Sequence, residues 1–350
     1  MRWHTSRLGD VVTLTRGHDL PESQRHDGDV PVISSSGITG RHNEPKAKGP
    51  GVITGRYGTL GEVFYVEEDY WPLNTALYVT DFKGNHTRFV AYFLRNVLRN
   101  YQSDKAAVPG VNRNVLHELK VVVPDVRSQK RIADILSAYD DLIENNRQRM
   151  TLLEEAARQL YREWFVRLRF PGHEHTRIIK GVPEGWERVP LGKHVTLNYG
   201  KALKAEDRVD GPCLVYGSSG IVGYNEKALT QGPGIVLGRK GNVGTVYWCV
   251  KDYWPIDTVY FIDSASSNLW LYYALKHMHF ISTDVAVPGL NRDFAYSRML
   301  LVPEQRIVRN FLDAALPLRT QIDKLDEMNE KLRAARDLLL PGVMSGEIAV

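Results

Sequence analysis

The stretch Gln129–Phe170 reads QKRIADILSAYDDLIENNRQRMTLLEEAARQLYREWFVRLRF and contains neither Gly nor Pro. Its apolar residues recur at Ile132, Ile135/Leu136, Tyr139, Leu142/Ile143, Met150, Leu153, Ala156/Ala157, Leu160 and Trp164. That spacing lies near 3.5 residues, which marks a coiled-coil seam better than the 3.6-residue stripe of a globular helix. Ser128 or Asp125 supplies a cap and Pro171-Gly172 a stop. About 42 residues at ~1.5 Å each span roughly 63 Å, more than a small domain needs for its own core. Such a helix requires a partner.

The partner lies in the same chain. From Gln305 to Leu340 a second run places Val308, Phe311, Ala315, Leu318, Ile322, Leu325, Leu332 and Leu339 on one seam, with Pro341-Gly342 as its stop. Asn146 and Asn329 fall on a-type positions of the two seams. Buried there, an Asn gives up stability and fixes register; on a solvated face it does neither. Pro317 is expected to kink or restart the second helix.

Everything else in the chain repeats around these helices. SSGITG (Ser35–Gly40) returns as SSGIVG (Ser218–Gly223), GPG (Gly49–Gly51) at Gly232–Gly234, GRYGTLG (Gly55–Gly61) as GRKGNVG (Gly238–Gly244), and DYWP (Asp69–Pro72) at Asp252–Pro255, all 183 positions on. AVPGVNR (Ala107–Arg113) returns as AVPGLNR (Ala286–Arg292), 179 positions on. The order excludes coincidence and gives one globular domain followed by one long helix, twice. The expected boundaries are 1–125 and 186–303 for the domains, 126–170 and 304–344 for the helices, 171–185 for a connector and 345–350 for a tail. Short Val/Ile/Tyr/Phe runs between Gly-rich turns read as strands, and Arg88–Tyr101 and Asn268–Ile281 as one packed helix per domain. The fold class is α+β: two similar mixed domains joined by two long helices in an antiparallel intramolecular coiled coil.

A length of 350 residues and 43% hydrophobic content with mean hydropathy −0.31 fit a two-domain globular chain. No apolar run reaches the ~18 residues of a membrane span, and MRWHTSRLGD has no apolar signal region, so a cytoplasmic location is expected. Cys213 and Cys249 read as small core residues, and His173 and His175 lack the further ligands a metal needs. The net charge of +4 is too small to argue for nucleic acid by itself. Walker A, HExxH, GxSxG and (D/N)PP(Y/F) sequences are missing, which leaves no visible catalytic centre.

The loops supply the functional candidates. GRYGTLG and GRKGNVG bring Arg56, and Arg239 with Lys240, to turns whose backbone N–H groups could meet a phosphate, or they are plain hairpins. Asn112, Arg113, Asn291 and Arg292 have side chains able to contact adenine and guanine edges, and could equally cap the next element. The repeat sorts the rest. Positions kept in both copies, such as Ser35, Ser36, Ser218, Ser219, Arg56 and Arg239, are scaffold or phosphate contacts. Those that differ are readers: Arg41/Tyr224, His42/Asn225, Tyr57/Lys240, Thr59/Asn242 and Asn74/Asp257. Two similar heads on paired helices suit the reading of two different marks a fixed distance apart.

These features together resemble the specificity subunit of type I restriction-modification systems over essentially the whole chain. The carrying residues are FPGHE (Phe170–Glu174), PEGWERVPLG (Pro183–Gly192), PDVRSQKRIADIL (Pro124–Leu136), its echo PEQRIVRNFL (Pro303–Leu312) and LLLPGVMSGEI (Leu338–Ile348). Pro317 and a compact length depart from the pattern. The resemblance implies a non-catalytic chain that reads a bipartite asymmetric site in double-stranded DNA and docks two modification subunits and restriction subunits on its helices. S-adenosylmethionine, ATP and Mg²⁺ would then belong to those partners, with no cofactor in this chain, and the role would be phage defence. The competing readings are a free-standing nuclease or methyltransferase and a coiled-coil scaffold that binds proteins.

Overall fold

The computed structural model describes residues 2–56, 62–103, 112–282 and 289–350 and divides into two units. The first comprises 1–145 with 328–350, the second 146–327. Each unit therefore takes one globular domain, part of the first long helix and part of the second.

In the first unit an antiparallel sheet orders Thr13–Arg16, Ala76–Asp81, Gly51–Gly55 and Val63–Val66. Beside it, Val30–Ser34 pairs antiparallel with Gly37–His42 and parallel with Trp71–Pro72. Trp3–Arg7 pairs with Lys120–Pro124, which brings the chain's start to the foot of the first long helix. The helix Thr87–Ser103 packs on the four-stranded sheet through Phe89, Val90, Phe93 and Leu94, all buried.

The second unit repeats this plan. Its sheets order Asn198–Tyr199, Val259–Ile262, Gly234–Gly238 and Val246–Cys249, then Gly220–Asn225, Cys213–Gly217 and Tyr253–Pro255, with Glu187–Pro190 paired to Met299–Val302. Its packed helix, Leu269–His277, stops short of the expected Ile281 because His279 adopts a left-handed conformation at φ 47°. Cys249 is buried, Cys213 is half-buried, and both are free thiols.

The repeat extends to individual contacts. Gly49 N donates to Asp69 Oδ1 at 2.9 Å, and Gly232 N to Asp252 Oδ1 at 3.0 Å. The Tyr70 ring lies where a side chain on Gly51 would project, and Tyr253 stands likewise over Gly234, so both positions admit only glycine. The sequence repeat is thus a repeat of close backbone approaches.

The first long helix runs Val126–Tyr161 and ends in a π-helical turn, Arg162–Val166. Of the two candidate caps Asp125 serves, accepting Ser128 N and Oγ and Arg2 N at 3.0 Å each. The end comes before Pro171, at Leu168, whose φ of 58° leaves the helical region. The second helix runs Gln305–Ser345, through both Pro317 and Pro341-Gly342. Both expected interruptions are overridden: Phe311 and Ala315 beside Pro317, and Leu340, Val343 and Met344 beside Pro341, are buried in cores that hold the backbone in line.

Within each unit the helices are antiparallel. In the first, Arg336 pairs with Asp140 while Arg131 Nη1 donates to Val350 O. In the second, Arg319 approaches Glu154 at 4.0 Å while the Phe311 ring stands 6.1 Å from Tyr161. Ile132, Leu136, Ile143, Ala157, Ile322 and Leu325 of the expected seams are buried, and Asn146 and Asn329 are each 1% exposed.

Both long helices also complete each domain's core. Ile132, Leu136, Leu340, Val343 and Met344 pack with the first domain's Leu8, Leu14, Phe89 and Leu94. Tyr161, Phe165, Ile307, Val308 and Phe311 pack with the second domain's Trp186, Trp270 and Tyr273. Residues 1–125 and 186–303 are therefore not self-sufficient cores.

Candidate nucleic-acid interface

In each unit a threonine gathers the candidate loops. Thr75 O accepts Arg56 N at 3.2 Å, while Thr75 Oγ1 accepts Ser35 N at 3.4 Å. In the second unit Thr258 O accepts Arg239 N at 2.9 Å and Lys240 N at 3.0 Å, and Thr258 Oγ1 accepts Ser218 N at 3.4 Å. The serine hairpin turn is thereby fixed beside Arg56 in the first unit and beside the glycine-rich loop in the second. Asn74 and Asp257, next in chain to these threonines, join the same cluster.

The side chains over this common frame differ. In the first unit Arg16 Nε donates to Asn74 O at 3.3 Å, and Asn74 Nδ2 donates to Asp19. In the second the equivalent carbonyl, Asp257 O, accepts Arg239 Nη1 at 3.2 Å, because the position of Arg16 is occupied by Tyr199. The same carbonyl is thus met by a guanidinium from a strand in the first copy and from the glycine-rich loop in the second. Arg239 and Arg292 both lie 4.9 Å from the Tyr199 ring centre. With Lys240, Tyr260, Leu290 and Asn291 they line a cleft of about 140 Å³. Burial, and then the Tyr199 hydroxyl, raise the pKa of Tyr260 against the opposing pull of the Arg239 charge.

Leu290 N donates to Arg239 O at 2.8 Å and Tyr260 Oη to Leu290 O at 3.0 Å, which carries Asn291 and Arg292 to the cluster. Ser36 and Ser219 are exposed at the hairpin turns, and Asn242 is exposed in the glycine-rich loop, where its carbonyl accepts Thr245 Oγ1. Tyr57 and Thr59 lie outside the described residues.

Several expected readers take other roles. His42 and Asn225 are 5% and 6% exposed. His42 Nδ1 accepts His26 N, and Asn225 Oδ1 accepts Val209 N, each at 3.1 Å. The two side chains differ while doing the same structural task, so neither is available to a base. Asn112 and Asn291 are helix caps: Asn112 Oδ1 accepts Asn114 N, and Asn291 Oδ1 accepts Asp293 N and Phe294 N. The following Arg113 and Arg292 open those short helices. Arg41 and Tyr224 are exposed, but they lie near the strand ends remote from the serine turns, five positions along from Ser36 and Ser219, and not at a loop tip.

Four positions escaped the sequence reading. Thr75 and Thr258 are kept 183 residues apart, and Arg16 and Tyr199 differ at that same spacing, so the comparison of copies held both signals. Among the described residues no group of His, Cys, Asp or Glu is placed to hold a metal ion.

Known proteins are similar to this chain in sequence and in fold. The type I restriction enzyme MjaIX specificity subunit of Methanocaldococcus jannaschii is 24% identical over 75% of this chain and 67% of its own length. The type I restriction enzyme EcoprrI specificity subunit of Escherichia coli is 28% identical over 39% of this chain, and the match spans only 35% of that relative. The crystal structure of the type I restriction-modification system S subunit from M. genitalium superposes with a TM-score of 0.58 over 98% of this chain and 96% of that one, at 16% identity, and so shares its fold. Residues 1–155 of this chain match the family model of the type I restriction modification DNA specificity domain.

Proposed function

We propose that this chain is the sequence-reading subunit of a type I restriction-modification complex, a recognition component and not a catalytic one. Its two units read the two halves of a bipartite, asymmetric site in double-stranded DNA. Its long helices dock two modification subunits, and restriction subunits join that assembly. S-adenosylmethionine, ATP and Mg²⁺ act in those partners, and the complex works in the cytoplasm in phage defence.

The observation that carries this reading is the paired frame at Thr75 and Thr258. One backbone arrangement presents Arg16, Arg56 and Asn74 in one copy, and Tyr199, Arg239, Lys240 and Asp257 in the other. A common frame with different side chains is what reading two unlike half-sites requires, because base edges are distinguished by side-chain donors and acceptors. The family match over residues 1–155 supports the same conclusion.

The test is expression of the chain with its modification subunits in a host lacking them, followed by methylome sequencing and duplex-binding measurements. The expected result is a methylated motif in two unlike parts separated by a fixed gap, with tight binding only when the partners are present. An uninterrupted motif, or equal affinity without partners, overturns the proposal.

A further inference from the structure

The cleft around Tyr199 in the second unit has the chemistry of an anion seat. The guanidiniums of Arg239 and Arg292 each stand 4.9 Å from one ring centre, so they are no more than about 10 Å apart. Like charges held this close favour a counter-charge between them. Lys240 adds a third cation, and its ammonium reaches the Asp257 carboxylate only at 4.0 Å. Among the described residues neither arginine has a carboxylate within ion-pair distance. Moreover, Arg292 Nε is out of contact with solvent and has no hydrogen-bond acceptor there. A buried donor in that condition is costly unless something binds.

We infer that Tyr199, Arg239, Lys240 and Arg292 seat one phosphodiester of the DNA backbone, making Arg292 a phosphate contact and not a reader of guanine. The inference rests on the DNA-reading function proposed above. The Tyr199 ring holds both guanidiniums in place, and among the described residues no carboxylate lines the cleft with its three cations. The seat belongs to the second copy, since Arg16 replaces Tyr199 in the first and spends its Nε on Asn74 O.

The experiment uses the full complex with its modification subunits, and measures affinity for cognate and unrelated duplexes between 50 and 200 mM salt. Wild type, Arg292→Gln and Arg292→Lys are compared, and the methylome is read for each. Losing one phosphate contact lowers the slope of log K against log salt by about one. The wild-type advantage over Arg292→Gln should therefore shrink roughly three- to fourfold across that range, equally for both duplexes. The methylated sequence should not change, and Arg292→Lys should restore the slope. An unchanged slope, or an altered base in one half-site, overturns the phosphate seat and leaves the function standing. Failure of the wild-type complex to bind DNA at all overturns both.

Discussion

Leu14 donates its amide to His117 Nε2 at 2.9 Å, and the equivalent Leu197 donates to the Tyr296 hydroxyl at the same distance. Gly9 lies under His117 and Gly192 under Tyr296, each too close to admit a side chain freely. One backbone donor is therefore satisfied by a titratable ring in one copy and by a phenol in the other. Burial, and then the Arg113 charge, lower the His117 pKa below its ordinary value. The folded state keeps His117 neutral, so as pH falls below about 6.5 the unfolded chain takes up a proton that the folded chain resists. Stability is present above that pH and is lost as pH falls through the unfolded toward the folded pKa. His117→Tyr, which copies the second unit, should reduce the loss of first-unit stability between pH 7 and pH 5. Denaturant melts at both pH values check it: an equal pH effect in variant and wild type would mean that His117 carries none of it.

The matched roles of His42 and Asn225 make a second prediction. Each accepts one backbone amide inside the fold, so His42→Asn should keep most of the stability and His42→Ala should lose about 1–3 kcal/mol, the range for an unsatisfied buried donor. Neither substitution should alter the methylated sequence. A changed base in the motif from His42→Asn would restore the residue to the readers.

Glu154 ties three elements of the second unit together. It accepts Lys276 Nζ at 2.9 Å, Tyr273 Oη at 3.1 Å and Tyr272 Oη at 3.4 Å, with Arg319 at 4.0 Å. Asp140 holds the corresponding place in the first unit, accepting Tyr92 Oη and pairing with Arg336. Glu154 is partly shielded from water, so Glu154→Ala should cost about 2–3 kcal/mol, between a surface pair and a buried one. Glu154→Gln still accepts hydrogen bonds and should cost less. Hydrogen exchange in Leu269–His277 reads the difference, and equal protection in all three proteins would remove Glu154 from the domain's attachment.

The long helices and the repeat were legible because both are written locally, in periodicity and in recurring strings. Pro317 and Pro341 misled because the proline rule weighs one lost hydrogen bond and a local clash, whereas the burial of Phe311, Ala315, Leu340 and Val343 is a long-range gain. Sorting positions by identity between copies failed at His42 and Asn225 for a chemical reason. Imidazole nitrogen and amide oxygen are different letters and the same acceptor. At Arg16 and Tyr199 the difference between the copies does change the charge of the site. The contribution of the chain's end to the first domain's core was invisible, since no local pattern joins Leu8 to Val343.

That last contact predicts how the domains can be exchanged. Leu340, Val343 and Met344 are 3%, 0% and 6% exposed within the first unit's core, and Gly346, at φ 81°, packs beside the Trp3 indole. Each such apolar side chain stabilises by ~1.5–3 kcal/mol. Three of them together are comparable with the ~5–15 kcal/mol that holds a whole domain. Truncation after Leu338 should therefore strip hydrogen-exchange protection from the first unit's strands while Gly234–Gly238 and Val259–Ile262 keep theirs. By the same argument, grafting residues 1–125 from a related subunit should give a weakened first unit unless residues 328–350 are taken from that relative as well. The co-graft should change one half of the methylated site and leave the other intact, because the Thr258 frame is untouched. If the graft of 1–125 alone melts with the same stability as the co-graft, the chain's end is not part of that core in solution.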